Sequence, residues 1–341
     1  MKKTAAALFL LCFSACGYHP LGPPPAAGPF LVARGGERRF PFAFDVPGGG
    51  VVVSHSTHKD DYLAAASAET TRLGHLPQNV ADFYLSGVVP VGDGLYGASY
   101  TTYDRESSGG VFTEEVRGWF SWDGGVTWAP RPGTLRLPEA PIQRAAGWGG
   151  ILMHRRLHAM GPLIAGTAYG GYARDARPGG GEWYRSVWVE SGDGGLSWTV
   201  RSTIAEGRAG TEGYAEPVSA ICPGGPILVV MRTGPLEPMR WTRSNDRGQS
   251  WSRSLDMPGM IGWDPDLLAS PSEGRVYLSW GRAGAFHVAY TEDCGGSWRR
   301  VAEREVNTSG YTGLALNGGL TVFADLARET EIWGFPVGES P

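Results

Sequence analysis

The sequence predicts an all-β chain folded as a six-bladed β-propeller, and three observations carry that prediction. One short turn is spelled four times, the segments between its copies are short β-rich runs, and the composition favours turns over helices. The copies are SWDGGVTW at residues 121–128, SGDGGLSW at 191–198, SNDRGQSW at 244–251 and TEDCGGSW at 291–298. Their tryptophans stand 70, 53 and 47 residues apart. Intervals of that size mark repeated supersecondary units, since the four strands and turns of a propeller blade fill about 40 to 50 residues.

Each turn has a physical logic. The Ser or Thr hydroxyl and the Asp carboxylate can bond the turn's own amides, and the glycines permit positive φ. The Trp packs beneath the hairpin. Each copy therefore reads as the turn between the last two strands of a blade, which makes it scaffold and not chemistry. Between the copies, YRSVWVES at 184–191, PILVVMR at 226–232 and RVYLSWG at 275–281 are strand-like runs bounded by Gly or Pro. YLAAASAETT at 62–71 is read as a first copy that has lost its Asp, Gly and Trp. The stretch from Gly310 to Val337 supplies three more strands and no copy. That gives five blades and a sixth lacking its outer strand. FLVAR at 30–34 can fill the gap and close the ring, leaving no open sheet edge.

Composition agrees and excludes other classes. There are 52 Gly, 25 Pro and 13 Trp among 341 residues, with 19% charged. A net charge of −4 without a basic patch speaks against a nucleic-acid partner. No Cys/His spacing suggests a metal site, no organic cofactor is implied, and a monomer is expected.

The first residues read as an address. MKK is a basic n-region and TAAALFLLCF a short apolar one. FSAC resembles the lipobox of bacterial lipoproteins, which implies that Cys16 carries lipid; an ordinary signal peptide holding a cysteine is the alternative. The expected organisation is a signal peptide over 1–15, a Pro-rich tether over 16–29 and the propeller over 30–341. The protein would then be exported and held on a membrane, in the periplasm or at the cell surface, with Gly17 pointing to the outer membrane. Cys222 and Cys294 remain in the folded body, where a disulfide and two free thiols are both open.

The repeated S-x-D-x-G-x-x-W turn on a six-blade count resembles the Asp-box repeats of sialidases. That resemblance covers residues 30–337 and implies a glycan-cleaving site of stated parts. RRFP at 38–41 stands where the family has its Arg-bearing opening motif, so Arg39 would bind a sugar carboxylate. In GYAEPVSAICPGGPILVVMRTG, Glu216 falls on the family's catalytic glutamate and Arg232 on its second carboxylate-binding Arg. Adjacent antiparallel strands would bring these two to one rim. Tyr311, in SGYTGLALNGGLTVFAD, falls on the nucleophile. Asp325 stands where the family has a Glu steadying the first Arg. Arg282 is the candidate third Arg. The acid/base Asp is Asp60 or Asp61 in HKDDY. His154, His158, Tyr169 and Tyr172 are expected to border the pocket.

The resemblance implies an exo-α-sialidase acting on a sialylated glycan. Two rivals stay open: an exo-glycosidase of other sugar specificity, favoured by a missing third Arg, and a catalytically silent propeller that binds glycan or protein.

Overall fold

The computed structural model describes residues 28–338 except 36–38, 57–67, 74–77, 81–84, 106–109, 143–147, 179, 283 and 327–329. Cys16 and the signal segment lie outside the described residues, as do Asp60 and Asp61. Among the described residues no helix is long and apolar enough to cross a membrane.

The chain is built from antiparallel meanders. β1 (Phe30–Arg34) precedes a first sheet of β2 (Arg39–Asp45), β3 (Val51–Ser56), β4 (Ala68–Arg72) and β5 (Gln78–Val80). Then come β6 (Leu85–Val91), β7 (Gly94–Asp104), β8 (Phe112–Ser121), β9 (Ala129–Pro130) and β10 (Gly133–Leu137). β11 (Trp148–Met160), β12 (Leu163–Gly170), β13 (Arg185–Ser191) and β14 (Ser197–Ala205) follow. β15 (Ala215–Ile221), β16 (Ile227–Arg232), β17 (Pro238–Ser244) and β18 (Leu255–Ile261) form one four-stranded sheet. β19 (Trp263–Ser270), β20 (Arg275–Arg282), β21 (Ala285–Thr291) and β22 (Arg299–Glu305) form another. β23 (Thr312–Ala315), β24 (Thr321–Leu326) and β25 (Glu331–Pro336) end the chain.

β1 pairs with β25, so the last sheet runs β1-β25-β24-β23 and takes its outer strand from the start of the chain. Asp45 ties the same seam by accepting from the Leu316 and Asn317 amides at 2.9 and 3.0 Å. Six separate blades were expected, and the strand pairing departs from that. β6 to β14 make one nine-stranded sheet, in which β7, β11, β12, β13, β14, β10 and β8 close on themselves. The cause is strand length and direction. β7 and β11, at 11 and 13 residues, run far enough to pair with each other. β10 adds itself parallel to β14.

Glu114 strengthens that join. It is fully buried and accepts from the Gly150 amide at 2.6 Å and the Ile151 amide at 3.2 Å, across from β8 to β11. Burial pushes its carboxyl up to about 7.

The four repeated turns lie between the third and fourth strands of their meanders, after β8, β13, β17 and β21. Asp193 shows the wiring. Its Oδ1 accepts from Ser191 Oγ and from the Leu196 and Ser197 amides at 2.9, 3.1 and 2.8 Å, while the Gly195 amide donates to Ser191 Oγ. In the third turn such donors, the Ser250 hydroxyl foremost, hold Asp246 down at about 2. Trp128 and Trp198 each donate Nε1–H to the turn glycine's carbonyl. The supposed first copy at 62–71 is misplaced: β4 occupies Ala68–Arg72, so the equivalent turn of the first sheet follows Arg72.

Cys222 and Cys294 form a disulfide with Cα atoms 5.9 Å apart, linking the β15–β16 turn to the fourth repeated turn on the neighbouring sheet. The bridge closes a loop of 72 residues. The chain-entropy relation gives about 4 kcal/mol for a loop of that size. Urea unfolding of a Cys222→Ala/Cys294→Ala variant is expected to show a loss near that value. A loss below about 1 kcal/mol would mean the two sheets are held by packing alone.

Candidate active site

The first strands of four meanders carry bulges, and at each a non-glycine residue takes left-handed backbone. These are Phe40 in β2 (φ 55°), Arg155 and Arg156 in β11 (35° and 59°), Glu216 in β15 (45°) and Asp264 in β19 (51°). A bulge leaves its extra residue unpaired and re-aims the side chain. Left-handed backbone at such residues costs about 1 kcal/mol or more each, and that kind of strain gathers where a site needs it. Three of the bulges precede proline, at Pro41, Pro217 and Pro265. Proline has no N–H to give the ladder, so a bulge is where a sheet accepts it.

Phe40, Glu216 and Asp264 converge on one cavity of about 300 Å³ including its mouth, together with Phe42, Tyr100, His154 and Tyr311. Glu216 and Tyr311 thus face the same space. The Phe40 ring stands edge-on to Tyr311, centroids 4.2 Å apart. Tyr311 is set by the loop before it. Asp325, fully buried, accepts from Thr308 Oγ1 at 2.7 Å, from the Ser309 amide at 3.2 Å and from the Ser309 hydroxyl. Trp263 donates Nε1–H to Ser309 O at 3.2 Å. Gly281 must lack a side chain, because a Cβ there would stand 1.9 Å from Gly310 O. The carboxylate of Asp325, the residue expected to steady Arg39, organises the turn that presents Tyr311.

Ala215 pairs with Arg232 across β15 and β16. Arg232 Nη1 accordingly lies 3.2 Å from Glu216 Oε1, and Nη2 lies 2.8 Å from Glu212 Oε2. The Asp264 amide donates to Glu216 Oε2 at 2.8 Å. Burial raises Glu216 above the usual carboxylate range, against the pull of Arg232.

Behind this wall lies a buried ionic network that sequence reasoning missed. Arg155 Nε donates to Asp264 Oδ1 at 3.1 Å, and its Nη2 pairs with Oδ2. His154 Nε2 lies 3.1 Å from Asp264 Oδ1 and Nδ1 lies 2.9 Å from Pro217 O. Both ring nitrogens thus face oxygens. Arg156 Nε donates to Asp266 Oδ1 at 2.8 Å, and Asp266 Oδ2 accepts the Leu314 amide at 2.8 Å. Arg155 also lies over Phe42, 4.1 Å from its ring centre. β11 is thereby bound to β2, β19 and β23. One signal was present: WDPD at 263–266 repeats the residue-before-proline pattern of Phe40 and Glu216.

The remaining candidates are placed less centrally. Arg39 immediately precedes Phe40 and is half-buried; Arg282 ends β20 and is exposed. Neither lines the cavity. His154 borders it, whereas His158 is turned to Ser219 Oγ at 2.9 Å. Tyr169 lies one layer out, hydrogen-bonded to Tyr100, and Tyr172 packs in the core of the nine-stranded sheet. Among the described residues no group of three or more His, Cys, Asp or Glu side chains is arranged to hold a metal ion.

No family model matches the sequence, and no curated protein matches it. Solved structures do match. A Hadza microbial sialidase superposes with a TM-score of 0.62 at 12% identity, over 88% of this chain and 66% of that one. A Trypanosoma rangeli sialidase, in complex with 2,3-difluorosialic acid as a covalent intermediate, gives 0.60 at 14%, over 92% and 57%. A Penicillium chrysogenum α-L-arabinanase complexed with arabinobiose gives 0.62 at 12%, over 90% and 97%. This chain spans less than two thirds of either sialidase and nearly all of the arabinanase. At such identities the likeness is one of fold. The chain has the all-β, propeller-like fold of these glycoside hydrolases.

Proposed function

We propose that the protein is an exo-acting glycoside hydrolase of the sialidase type, with Tyr311 as nucleophile and Glu216 as its base. One observation carries the reading: Tyr311 and the Arg232-bound carboxylate of Glu216 line a single cavity. The chemistry explains the pairing. A sialic acid bears a carboxylate on its anomeric carbon, so a carboxylate nucleophile would meet like charge in the transition state. A phenol avoids that repulsion but is ordinarily protonated and weak, and needs a neighbouring base. Glu216, raised by burial, is better matched to that proton than an ordinary carboxylate. Arg232 would bind the sugar carboxylate, joined by Arg39 and Arg282 on substrate entry. Asp60 or Asp61 would protonate the leaving oxygen and then activate water. On the same reading the nine-stranded sheet counts as two blades of six, and Cys16 anchors the protein to a membrane.

A second reading has its own support. Arg282 is exposed and lies outside the cavity lining, which suits an uncharged sugar. The deciding experiment offers the purified domain a fluorogenic α-sialoside and, separately, arabino-oligosaccharides, from pH 4 to 8. Sialoside turnover is the expected result. Arabinoside turnover alone would replace it with the second reading, and no turnover of either would leave a glycan-binding propeller.

A further inference from the structure

Two carboxylates hold Arg232, and they are not equivalent. Glu216 is 8% exposed, sits on a strained bulge and is fixed by the Asp264 amide. Apart from its contact with Arg232, Glu212 is anchored, among the described residues, through its backbone: its amide donates to Thr233 O at 3.1 Å and its carbonyl accepts from the Tyr184 amide at 2.8 Å. Gly213, at φ 88°, packs against Tyr184 and fixes that loop. The Glu212 side chain itself reaches the solvent edge, 25% exposed against 17% for Arg232. Its contact is close but badly directed. At 2.8 Å from Nη2, Glu212 Oε2 still lacks a well-angled hydrogen bond, and so does the buried Nε of Arg232 among the described residues. A guanidinium offers Nε and Nη2 as a parallel pair to a planar carboxylate. Glu212 satisfies neither donor properly, whereas a ligand carboxylate arriving on that edge can satisfy both.

From this geometry we infer that Glu212 is a specificity-determining residue, a displaceable stand-in on Arg232 that an acidic sugar must push aside. The inference rests on the sialidase-type reading of the cavity. While Glu212 stays, the guanidinium is already matched by two carboxylates and a third meets net negative charge. Once it swings into solvent, Arg232 keeps Glu216 and gains the ligand. Glu212 therefore discriminates against weakly acidic or misplaced ligands and lowers affinity for correct ones.

Glu212→Gln tests this, with sialoside kinetics and calorimetric binding of N-acetylneuraminic acid and of its methyl ester, which has the same sugar without the charge. KM and Kd for the acid are expected to fall about three- to tenfold, the range for releasing a partly exposed ion pair. Affinity for the ester and kcat stay within about twofold. Weaker binding of the acid would mean that Glu212 merely orients Arg232, and unchanged binding would mean that the edge is not a carboxylate site; either overturns the inference. The two readings fail separately. Sialoside turnover by the wild type with unaltered acid-over-ester preference in Glu212→Gln sinks only the inference. Gained preference in the variant, with no turnover by the wild type, sinks only the sialidase reading. Neither turnover nor acid binding in both proteins sinks both.

Discussion

Replacing Tyr311 with Phe is expected to lower sialoside turnover by at least about 10³-fold, the scale seen when a covalent nucleophile is removed. The substitution deletes one oxygen and leaves the ring edge-on to Phe40, 4.2 Å between centroids, so the fold should not notice. Thermal unfolding within about 0.5 kcal/mol of wild type would establish that. Glu216→Gln should cost about 10²- to 10⁴-fold, the range for general-base assistance. The two effects should not add, because a base with no phenol to activate has nothing left to contribute. The double variant is thus expected to match Tyr311→Phe within a fewfold. If Tyr311→Phe retains more than a tenth of the activity, the nucleophile is elsewhere and the cavity serves another chemistry. If both singles are weak and their costs multiply, the residues contribute independently, as ligand contacts would.

Much of the scaffold was legible because it is written in local rules. A carboxylate two residues after a hydroxyl, then glycine, then tryptophan, dictates a turn that needs no distant partner, and the wiring of Asp193 is local throughout. The meeting of Glu216 and Arg232 was legible for a related reason: a short turn between antiparallel strands brings the start of one beside the end of the other, and the bulge shifts that pairing by one residue only. β1 closing the last sheet followed from counting strands. What escaped is what depends on distance in sequence. Arg155 and Asp264 are 109 residues apart, and nothing local in HRR announces that both arginines leave the ordinary backbone region to cross the molecule. The merging of two meanders escaped too, because the β10–β14 pairing is parallel and non-local. The part Asp325 plays in seating the Tyr311 loop, through donors in Thr308 and Ser309, was not read either. The Asp264–Pro265 dipeptide could have been read. It repeats Phe40–Pro41 and Glu216–Pro217, and a proline opening a strand marks a bulge wherever it recurs.

The buried network behind the cavity should make Asp264 the most expensive carboxylate in the domain to lose. Arg155 is 2% exposed and directs Nε and Nη2 to Asp264, and His154 spends Nε2 on the same oxygen as Arg155 Nε. Asp264→Ala would leave a buried guanidinium without its paired carboxylate and His154 Nε2 without its acceptor, while the 3.4 Å contact from Arg155 to Asp266 and the His154 contact to Pro217 O remain. Breaking one side of a buried pair costs about 3 to 5 kcal/mol. Left-handed backbone adds to it, because Ala tolerates φ near 51° worse than Asp or Asn does. Asp264→Asn keeps the backbone and one acceptor and should lose about half as much. Although burial opposes it, Arg155 holds Asp264 below the ordinary carboxylate range. A depressed carboxylate contributes stability above its unfolded pKa and loses it as pH falls through the folded one. The gap between wild type and Asp264→Asn should therefore be full at pH 6 and shrink as the solution is taken below pH 4. Urea unfolding at both pH values reads it directly. A constant gap would mean that shape rather than charge holds the network. A loss under about 1 kcal/mol for Asp264→Ala would mean that Arg155 finds water or Asp266 when its partner goes. An Arg155→Met/Asp264→Leu pair supplies the control: it removes the uncompensated guanidinium and should recover part of what Asp264→Leu alone loses, His154 Nε2 and the left-handed backbone accounting for the remainder. Activity should not follow stability there. The 264 substitutions leave the backbone N–H that donates to Glu216 in place chemically, so turnover lost beyond the unfolded fraction by Asp264→Asn, which also tolerates that backbone, is expected to report the missing charge of the network on Glu216.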